Sequence, residues 1–549
     1  MKNGFHILPA SRACRIFLAC VHSSALLLAA PAAAAPTGRQ RPPPAPVLEH
    51  REFDAMLEAA FQPPAAGQNR TFILHFTLPG ATAAQRVNWT LGLYGPAGEL
   101  VRQWRGRHVL QGGSGQSTVS WRAPSALPAG IYTLRLQAGK IRQRRPIAIG
   151  QPALLQPASA AAAAAGTPGP AHFDGLDFGI VYGNLHSQTN HSDGGGDPAH
   201  CHGAQAPRTG AFGPEDAYRF AQQHGLQFLL ASEHNHMYDG SERSDPGADP
   251  LAARQLYRLG IASAEQYTAQ HPGFVAMYGM EWGVISGGGH LNILNSPALL
   301  GWERSANGEP FADVVTPKND YGALYTLMKA QGWLGQFNHP GASQFPINGE
   351  ALAFSDDGGA VMALCEVMNS NAFSKRLDEG EPRHSFYEEA CDKLLEAGYR
   401  LAFSSDQDNH CANWGASFSN RTGILLPVGA APTQDALLDA IRARRVFATM
   451  DKQSAAALTA NGIMMGAHIE NTGPLTLQVH YTSTAGRGIA ALEVLEGVPG
   501  RKGEVKPMRG VSAMQHSFTP RPGAHFYYAR LTQDDSKQLW TAPVWVNQR

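Results

Sequence analysis

The amino-acid sequence predicts an α/β protein in which a barrel of parallel strands is flanked by two small all-β sandwich domains. Three observations lead to this fold class. Between about residues 172 and 450, apolar runs of strand length alternate with amphipathic segments of helix length. On both sides of that region apolar residues alternate with polar ones in period two, as in strands with one buried face. A low-complexity Ala/Pro/Gly segment separates the first sandwich pattern from the barrel pattern.

The two sandwiches are predicted from this alternation. The N-terminal one covers residues 49–152, with apolar residues at every second position from Phe72 to Leu78. Its segment LPAGIYTLRL resembles the closing strand of immunoglobulin-like modules. The C-terminal one covers residues 451–549, and residues 153–171 are the predicted linker. A chain of 549 residues is long enough for several domains.

The central region, residues 172–450, contains eight apolar runs that predict strands. In chain order they read FGIVYGNL, LQFLLAS, FVAMYGM, HLNIL, WLGQF, VMALCEVM, LAFSS and GILLPV. Helices are predicted between several of them, for example Pro214 to His224, with proline in the first turn, and Arg383 to Ala397, which Gly398 ends. Repeated strand-then-helix units with apolar strands favour a parallel sheet, most economically a closed or nearly closed barrel.

The N-terminus has the pattern of an export signal, predicted over residues 1–35. Basic residues precede an apolar segment that ends in SSALLLAAPAAAA, whose small residues suit cleavage near Ala35. A membrane anchor needs about 20 unbroken apolar residues, and polar residues interrupt this segment. No later segment is apolar enough to span a bilayer. Residues 36–48 are a predicted disordered lead, and the protein is expected in the periplasm or outside the cell.

The charge balance argues against a nucleic-acid partner. The chain has 44 Lys and Arg against 44 Asp and Glu, with no basic run. The expected partner is a small-molecule substrate, and the oligomeric state is left open. The 22 histidines are compatible with a metal protein.

Four cysteines remain after the predicted signal. Cys365 lies in an apolar strand and Cys391 on the apolar face of a predicted helix, so both are expected to be core thiols. Cys201 and Cys411 lie in polar loops, each a few residues beyond a candidate metal motif. An oxidising compartment allows a disulfide between these two loops, although the sequence is equally compatible with free thiols there.

Side chains of the metal-ligand type follow nearly every predicted strand of the central region. In chain order they are His186, Gln188 and Asp193, then Glu233, His234 and His236, then Glu281, His290 and His339, and finally Asp406, Asp408 and His410. The carboxyl ends of parallel barrel strands converge on one mouth, where chemistry is normally placed. The sequence therefore predicts a metal site at that mouth.

Spacing gives a second test of this interpretation. Alternate residues of a strand face the same way, so His186 and Gln188 form one pair of inward-facing groups, and Asp406 and Asp408 form another. A single histidine after a strand is more often a loop or capping residue than a ligand. Ligand-type residues recur six times at the same end of the predicted strands, and this recurrence favours a metal site over that interpretation.

The ordered motifs resemble the polymerase and histidinol phosphatase-like (PHP) superfamily of metal-dependent phosphoesterases, and within it the carbaryl-hydrolase-like exported branch. The family motif His-x-His-Thr-x-x-Ser-Asp-Gly is matched by His186, Thr189, Ser192, Asp193 and Gly194, with Gln188 in place of the second histidine. The next motif appears as Ser232, Glu233, His234 and Asn235, and further positions match at Glu281, His290, His339 and Asp406. Asp408 stands where the family usually has a final histidine. The resemblance covers residues 172–450 and implies a distorted (β/α)7 barrel.

The resemblance also implies a set of ligands. One ion would bind His186, Glu281 and Asp406, with Gln188 as a neutral oxygen donor; a second would bind Glu281, His290 and His339; a third would bind Asp193, His234 and Asp408. A site with two divalent ions is favoured over a site with three, and the candidate metals are Mn, Fe and Zn. The extra oxygen ligands favour Mn²⁺ or Fe²⁺ over Zn²⁺. The expected nucleophile is a metal-bound water held by Glu281 and Asp193.

The expected function is therefore an exported metal-dependent hydrolase, and the family default is a phosphoesterase. Two alternatives stay open: a carbamate, amide or carboxylic-ester hydrolase, and a non-catalytic metal-bound binding module. The chain contains no Gly-x-Ser-x-Gly elbow and no phosphate-binding Gly-Lys-Ser/Thr loop. The candidate substrate contacts are Glu366, Asn369, His410 and Arg421.

Overall fold

The computed structural model describes residues 53–549 except 66, 79–82, 152–153, 156–172, 174, 286–287, 509–510 and 512. The predicted signal peptide (1–35), the predicted lead (36–48) and most of the predicted linker (153–171) lie outside the described residues. Within the described ranges, no helix combines the length and the apolar composition needed to cross a bilayer.

The N-terminal strands form a two-sheet sandwich around their own core. They are β1 (Asp54–Ala59), β2 (Arg70–Thr77), β3 (Gln85–Tyr94), β4 (Leu100–Leu110), β5 (Ser114–Trp121), β6 (Gly130–Ala138) and β7 (Ile141–Ile149). One sheet has the order β1-β2-β5 and the other β4-β3-β6-β7. The alternating apolar residues, such as Phe72, Leu74, Leu91 and Leu134, are fully buried between the sheets, as period-two patterning requires.

The central region mixes strands and helices. Its strands are β8 (Phe178–Asn184), β9 (Phe228–His234), β10 (Val275–Val284), β11 (Gly289–Ile293), β12 (Leu300–Gly301), β13 (Val314–Val315), β14 (Gly335–Phe337), β15 (Met362–Ser370), β16 (His384–Phe386), β17 (Ala402–Asp406), β18 (Arg421–Pro427) and β19 (Val446–Thr449). Its helices are α1 (Pro214–Gln223), α2 (Pro250–Gln270), α3 (Tyr321–Gln331), α4 (Asp356–Val361), α5 (Glu388–Ala397) and α6 (Gln434–Arg442). Strands are therefore present at or near the predicted apolar runs, and the way these strands pair determines the architecture.

The central sheet has mixed strand directions. β8, β9 and β10 run parallel to one another, and so do β14, β15 and β17. Between these two sets lies β11, which is antiparallel to both β10 and β14. β16 is antiparallel to β15, and β18 is antiparallel to β8. From β18 the sheet continues through β19 into the C-terminal strands.

The predicted fold class, a (β/α)7 barrel of parallel strands between two sandwiches, is wrong. The described residues contain 29 strands and only six helices, and β11, β16 and β18 interrupt the parallel strand-helix repeat. Gly288, with φ of 148°, lies in the turn that reverses the chain from β10 to β11. An apolar run has the same composition whether its neighbour runs parallel or antiparallel, so the sequence pattern did not reveal these reversals.

The C-terminal strands complete the large sheet and add a second one. They are β20 (Ser454–Ala460), β21 (Ile463–Met464), β22 (His468–Asn471), β23 (Leu475–Ser483), β24 (Ile489–Gly497), β25 (Lys506–Pro507), β26 (Gln515–Phe518), β27 (Gly523–Gln533), β28 (Gln538–Thr541) and β29 (Val544–Gln548). β28 pairs with β19 of the central region, and β21-β20-β23-β26 form a separate sheet. Because central and C-terminal strands share hydrogen bonds, the domain boundaries of the sequence analysis stay predictions.

Two local expectations about the segment around β15 to α5 are also corrected. The helix predicted from Arg383 begins only at Glu388, because the preceding residues form β16. Cys365 and Cys391, expected to be core thiols, form a disulfide with a Cα–Cα distance of 5.9 Å. A second disulfide joins Cys201 to Cys411, at a Cα–Cα distance of 5.8 Å.

The N-terminal sandwich packs against β16. Gln143 on β7 accepts a hydrogen bond from Phe386 N at 2.9 Å and donates one to Phe386 O at 3.3 Å. The Ser385 hydroxyl donates to Asp54 Oδ2 on β1 at 2.8 Å. Arg145 places its guanidinium 4.7 Å from the centroid of the Phe386 ring. The first domain therefore touches the strand that leads into α5.

Candidate metal centre

Neighbouring strand ends bring the predicted ligands together. The β9–β10 register pairs His234 with Glu281, and the β10–β11 register places His290 opposite Gly283, two residues further along β10. His186 and His339 each lie two residues beyond the end of a strand, β8 and β14 respectively. His186, Glu281 and His290 are buried, with 0–2% of their surface exposed. Side chains distant in the sequence thus meet inside the protein.

Glu281 lies at the centre of this cluster. Its Oε1 atom lies 3.0 Å from His290 Nδ1, 3.1 Å from His186 Nε2 and 3.2 Å from His339 Nε2. Asn338 Nδ2 donates to the same oxygen at 2.9 Å. Four nitrogens around one carboxylate oxygen exceed what its lone pairs accept as hydrogen bonds. Some of these ring nitrogens therefore present lone pairs toward the carboxylate, an arrangement that a cation would stabilise.

The His186 ring lies between two sets of carboxylates. Its Nδ1 lies 3.2 Å from Glu366 Oε1, while its Nε2 lies 3.1 Å from both Glu281 Oε1 and Asp408 Oδ1. If Nδ1 donates to Glu366, the neutral ring directs the Nε2 lone pair at the other two carboxylates. A carboxylate that fixes the tautomer of a histidine in this way is the common outer partner of a metal-binding imidazole.

A second group forms around Asp193. Its Oδ1 lies 3.5 Å from His234 Nε2 and 3.5 Å from His410 Nε2. His234 also reaches Glu281, with Nδ1 3.3 Å from Oε2, and so links the two groups. Asp193 Oδ1 and Asp408 Oδ1 are buried, and the groups nearest to them are imidazole nitrogens, at 3.5 Å and 3.1 Å. Because an imidazole can give up its proton, both oxygens favour an additional cation.

Three overlapping sets of side chains have the ligand atoms to hold a metal ion. They are His186, Glu281 and His339; His234, Glu281 and His290; and Asp193, His234 and His410, with all ligand atoms of a set within 4.8 Å of one another. The prediction that ligand-type residues of the central region converge is thus confirmed at this level. Which of them bind a metal stays a prediction.

The sets differ from the ligand sets implied by the resemblance. Asp406 belongs to none of them, because Leu185 N, Thr422 Oγ1 and Gln336 Nε2 all donate to its carboxylate. Gln188 directs its amide nitrogen at Glu281 Oε2, at 2.7 Å, while its oxygen accepts from Ser192. It therefore orients Glu281 instead of offering an oxygen to an ion.

The Asp193 set includes His410 in the position expected for Asp408. Asp408 lies instead against His186, on the solvent side of the cluster. Asp408 and His339 both have positive φ, 49° and 28°. Such backbone conformations cost of order 1–3 kcal/mol in non-glycine residues and cluster at functional sites.

Burial and neighbouring charges both shift the pKa values of the ionisable groups in the cluster. Burial raises the pKa of Glu281, but the charges of His186, His290 and His234 outweigh it and hold that pKa well below its usual range. Burial lowers the pKa of His339, but Glu281 outweighs it and raises that pKa to about 9. Burial raises the pKa of Asp406 to about 6, assisted by the charge of Glu366.

No lysine or arginine among the described residues pairs with these carboxylates. The ion-pair partners of Glu281, Glu366, Asp193 and Asp408 are all histidines. Several buried carboxylates without a fixed cation are costly, because a buried charge needs a counter-charge. The donor set of imidazole nitrogens and carboxylate oxygens therefore fits a divalent ion such as Mn²⁺, Fe²⁺ or Zn²⁺.

Several polar side chains around the cluster were not predicted from the sequence. Asn338 donates to Glu281 and to Asn292 Oδ1, and Asn292 donates to Leu185 O. Gln336 bonds to both Asn338 and Asp406. These amides lie on strands that also carry apolar residues, and only their alternate positions, 336 and 338, signalled that they face the site.

Asp54 of the N-terminal sandwich is a further residue at the rim. It accepts the hydrogen bond of Ser385, and its charge acts on His339 and on Tyr387. The Tyr387 ring lies edge-on to His339, with centroids 6.3 Å apart. No sequence signal connected residue 54 with the site, because the contact depends on how two regions pack.

The predicted substrate contacts occupy different places. Glu366 bonds to His186 and accepts from His339 N at 2.6 Å, so it supports two candidate ligands. Asn369 lies on β15 opposite Asp406 and is buried. Arg421 is 1% exposed and donates to the carbonyls of Phe418, Asn420, His224 and Gly415, so the chain itself uses its guanidinium.

Comparisons with known proteins assign no family. No family model and no curated protein matches the chain. Among solved structures it is similar to a Parabacteroides merdae β-glucuronidase (10% identity, 91% of this chain, 65% of that chain, TM-score 0.17). It is also similar to a putative Bacteroides fragilis β-galactosidase (11% identity, 90% of this chain, 73% of that chain, TM-score 0.15). A third similar structure is a glycosyl hydrolase family 2 member of Bacteroides cellulosilyticus (10% identity, 91% of this chain, 63% of that chain, TM-score 0.16). The chain spans less than two thirds of the length of the first of these. TM-scores this low transfer no substrate.

These findings correct two expectations. Membership of the PHP superfamily is wrong as predicted, because no family model matches the chain and the central sheet is not the (β/α)7 barrel that the resemblance implied. The assignment as a phosphoesterase, which depended on that resemblance, is wrong with it. What remains is the cluster of potential metal ligands and its geometry.

Proposed function

We propose that this protein is a metal-dependent hydrolase that binds two divalent ions at Glu281. The observation that carries the proposal is that Glu281 belongs to two of the three potential ligand sets, one with His186 and His339 and the other with His234 and His290. A carboxylate shared by two sets can bridge two ions. Two-metal sites are a common basis for hydrolytic chemistry.

When bound, the ions would supply Lewis-acid chemistry. The chain's own residues fix the geometry around them. Glu366 holds the His186 ring through Nδ1, and the amides of Gln188 and Asn338 hold the two oxygens of Glu281. Ligands whose own orientation is fixed by a surrounding layer keep their geometry without reorganising during a reaction.

The accessible side of the cluster is formed by Asp408 and His339. Their side chains are 12% and 10% exposed, whereas Glu281 and His186 are fully buried. A substrate therefore approaches from the Asp408 side. His339 there is positioned by Glu366, which accepts its backbone N–H, and by the neighbouring Tyr387 ring.

The two disulfides agree with an oxidising compartment. We propose that the enzyme acts in the periplasm or outside the cell. The Cys201–Cys411 bridge lies between the segment that carries Asp193 and the segment that carries Asp408 and His410. It therefore holds both segments of the third ligand set together.

The test combines metal analysis with turnover. The purified full-length chain is expected to retain about two divalent ions per molecule after dialysis. Glu281→Gln should lose both, because it removes the shared ligand at constant volume. The matched control is Glu396→Gln, which also neutralises a buried glutamate but at a carboxylate that pairs with Arg501. The control should retain its metal.

Turnover is measured on a panel of p-nitrophenyl glycosides, with the corresponding acetates and phosphates for comparison. Chelation should abolish activity on the substrate that is cleaved, and added metal should restore it. A wild-type chain without stoichiometric metal, or a Glu281→Gln variant that keeps two ions, would overturn the metal centre. Stoichiometric metal without chelator-sensitive hydrolysis of any panel member would overturn the hydrolase.

A further inference from the structure

The N-terminal sandwich is far more basic than the chain as a whole. Residues 53–149 contain eleven Lys and Arg but only three Asp and Glu, in a chain whose formal net charge is zero. The rest of the protein therefore carries the compensating negative charge. A charge asymmetry of this size between two parts of one chain indicates an anionic partner for the basic part.

Strand register places six of these arginines on one face. In β3, Val87, Trp89, Leu91 and Leu93 point into the core, so the intervening residues point outward. The residues directly opposite them in the register share that outer face. The outer face of the β4-β3-β6-β7 sheet, here called the arginine face, carries Arg86, Arg105, Arg107, Arg135, Arg142 and Arg144.

The other described positions of the arginine face are uncharged. Gln103, Asn88, Thr90 and Gln137 lie between the arginines, and the register brings no Asp or Glu onto this face. Arg135 lies directly opposite Arg144. Like charges opposite each other destabilise a sheet, and at this pair the charges of Glu388 and Glu389 of α5 offset the repulsion.

Acidic groups compensate only one side of the arginine face. Arg142 pairs with Glu389 of α5 at 2.6 Å, and the charge of Arg144 acts on Glu388. Arg86, Arg105 and Arg107 are exposed and form no ion pair with any described residue. These three guanidiniums are available to a ligand from solution.

We propose that the arginine face binds an acidic polysaccharide through its carboxylate groups. A guanidinium presents two parallel donors to a carboxylate, which makes arginine the preferred residue for such contacts. Alternate residues of a strand lie about 7 Å apart and neighbouring strands about 4.8 Å apart. Arg105 and Arg107 therefore present two guanidiniums about 7 Å apart along β4, so that successive charges of one polymer can be bound together.

The surroundings of the face favour a polysaccharide over a nucleic acid. Single-stranded nucleic acids bind where aromatic rings are open for base stacking. The aromatic ring on this face, Tyr94, is covered by the Arg135 guanidinium at 4.4 Å from its centroid. The disulfides agree with an oxidising compartment, which excludes the cytosolic pool of nucleic acids.

The basic region also leads toward the candidate metal centre. Lys140, in the turn between β6 and β7, donates from Nζ to Ser343 Oγ at 3.4 Å. Ser343 follows His339 by four residues in the chain. A polymer held on the arginine face would thus end near the loop that follows a candidate ligand. The binding itself does not depend on the proposed hydrolase activity.

Binding is measured by fluorescence anisotropy with a labelled galacturonate decamer and the full-length chain at low and physiological salt. The triple variant Arg86→Gln, Arg105→Gln, Arg107→Gln should bind about tenfold more weakly, as expected for the loss of three exposed charge-assisted contacts. The control triple variant Arg400→Gln, Lys506→Gln, Arg521→Gln removes three exposed cations outside the sandwich. Its affinity should stay within about twofold of wild type.

Two further ligands make the test decisive. A neutral maltodextrin of the same length should not bind, and a 20-base-pair DNA duplex should bind more weakly than the galacturonate. Equal loss of affinity in both triple variants, no binding by wild type, or tighter binding of DNA would each overturn the proposal. Circular dichroism and metal content, which should be unchanged in both variants, exclude unfolding as the cause.

Discussion

Two buried clusters of carboxylates in this protein obtain their counter-charge in different ways. In the first, around Glu281, the ion-pair partners in the described structure are histidines. In the second, around Glu388, Arg530 pairs with Glu388 at 2.6 Å and with Glu493 at 2.7 Å. The Tyr528 hydroxyl lies within hydrogen-bond distance of both Glu388, at 3.0 Å, and Asp392, at 2.8 Å. Both clusters join distant parts of the chain.

The difference separates a structural cluster from a functional one. A guanidinium cannot lose its charge at ordinary pH, so the Glu388 cluster is neutralised permanently by the chain itself. Imidazoles are neutral or charged near neutral pH and can give up a proton to bind a metal. The Glu281 cluster therefore has a charge deficit that protons or metal ions fill. Carboxylates neutralised by a fixed arginine stabilise the fold, whereas carboxylates neutralised by protons on histidines can bind a metal ion in place of those protons.

The largest expected effect comes from removing the fixed cation. Arg530→Gln leaves Glu388 buried without its partner and should lower the free energy of unfolding by about 3–5 kcal/mol, measured with urea. The double variant Arg530→Gln, Glu388→Gln should recover at least half of the loss. In metal-free protein, Glu281→Gln should lower the free energy of unfolding by less than Arg530→Gln does, because the imidazoles that compensate Glu281 can release their protons once its charge is removed. Similar losses in both clusters would remove the distinction.

A smaller effect concerns the pH dependence of the Glu388 cluster. Burial, assisted by the charge of Glu388, raises the pKa of Asp392 from 3.8 to about 7. Between these values the folded state keeps a proton that the unfolded state has lost, so stability falls as pH rises from about 4 to 7. Asp392→Asn should flatten this fall, which amounts to at most about 4 kcal/mol over this pH range. Urea unfolding at several pH values measures it, with exposed Asp439→Asn as the control; an unchanged slope in Asp392→Asn would contradict the assignment.

The smallest effect tests whether the N-terminal sandwich influences the Glu281 cluster. Asp54→Asn keeps an acceptor for the Ser385 hydroxyl but removes the charge that acts on His339. Divalent-metal affinity, measured by competition with a chelating dye, should fall about two- to fivefold, since one unit charge is lost near the rim. Glu58→Gln on the same strand, whose carboxylate pairs with His75, should have no effect. Equal affinities of both variants would show that the sandwich does not influence the centre.

Individual elements of the fold were more predictable than their arrangement. The runs FGIVYGNL and VMALCEVM overlap β8 and β15, and Pro214 begins α1 as its position indicated. The predicted barrel was wrong because composition does not determine whether neighbouring strands run parallel or antiparallel. β11 and β18 have the composition of ordinary apolar strands but run antiparallel to their neighbours. β16 was read as the start of a helix because three residues are too few for a periodic pattern.

The candidate site shows the same division. His186, Asp193, His234, Glu281, His290 and His339, singled out by their positions after apolar runs, occur in the three ligand sets. The grouping of these residues was not predictable. The Asp193 set contains His410 and not Asp408, and Asp406 is held by hydrogen bonds outside all three sets. The reason is that the direction of a side chain after a strand depends on the backbone of the following loop.

The sequence by itself determined which residues could carry chemistry, since imidazoles and carboxylates recur after the ends of several predicted strands. It also fixed the basic composition of residues 53–149. Only the tertiary structure decided that Glu281 is shared by two ligand sets, that Arg421 is occupied by backbone carbonyls and that six arginines lie on one sheet face. The physical reason is that distance, lone-pair direction and strand register arise from packing between segments far apart in the chain, and local sequence does not encode them.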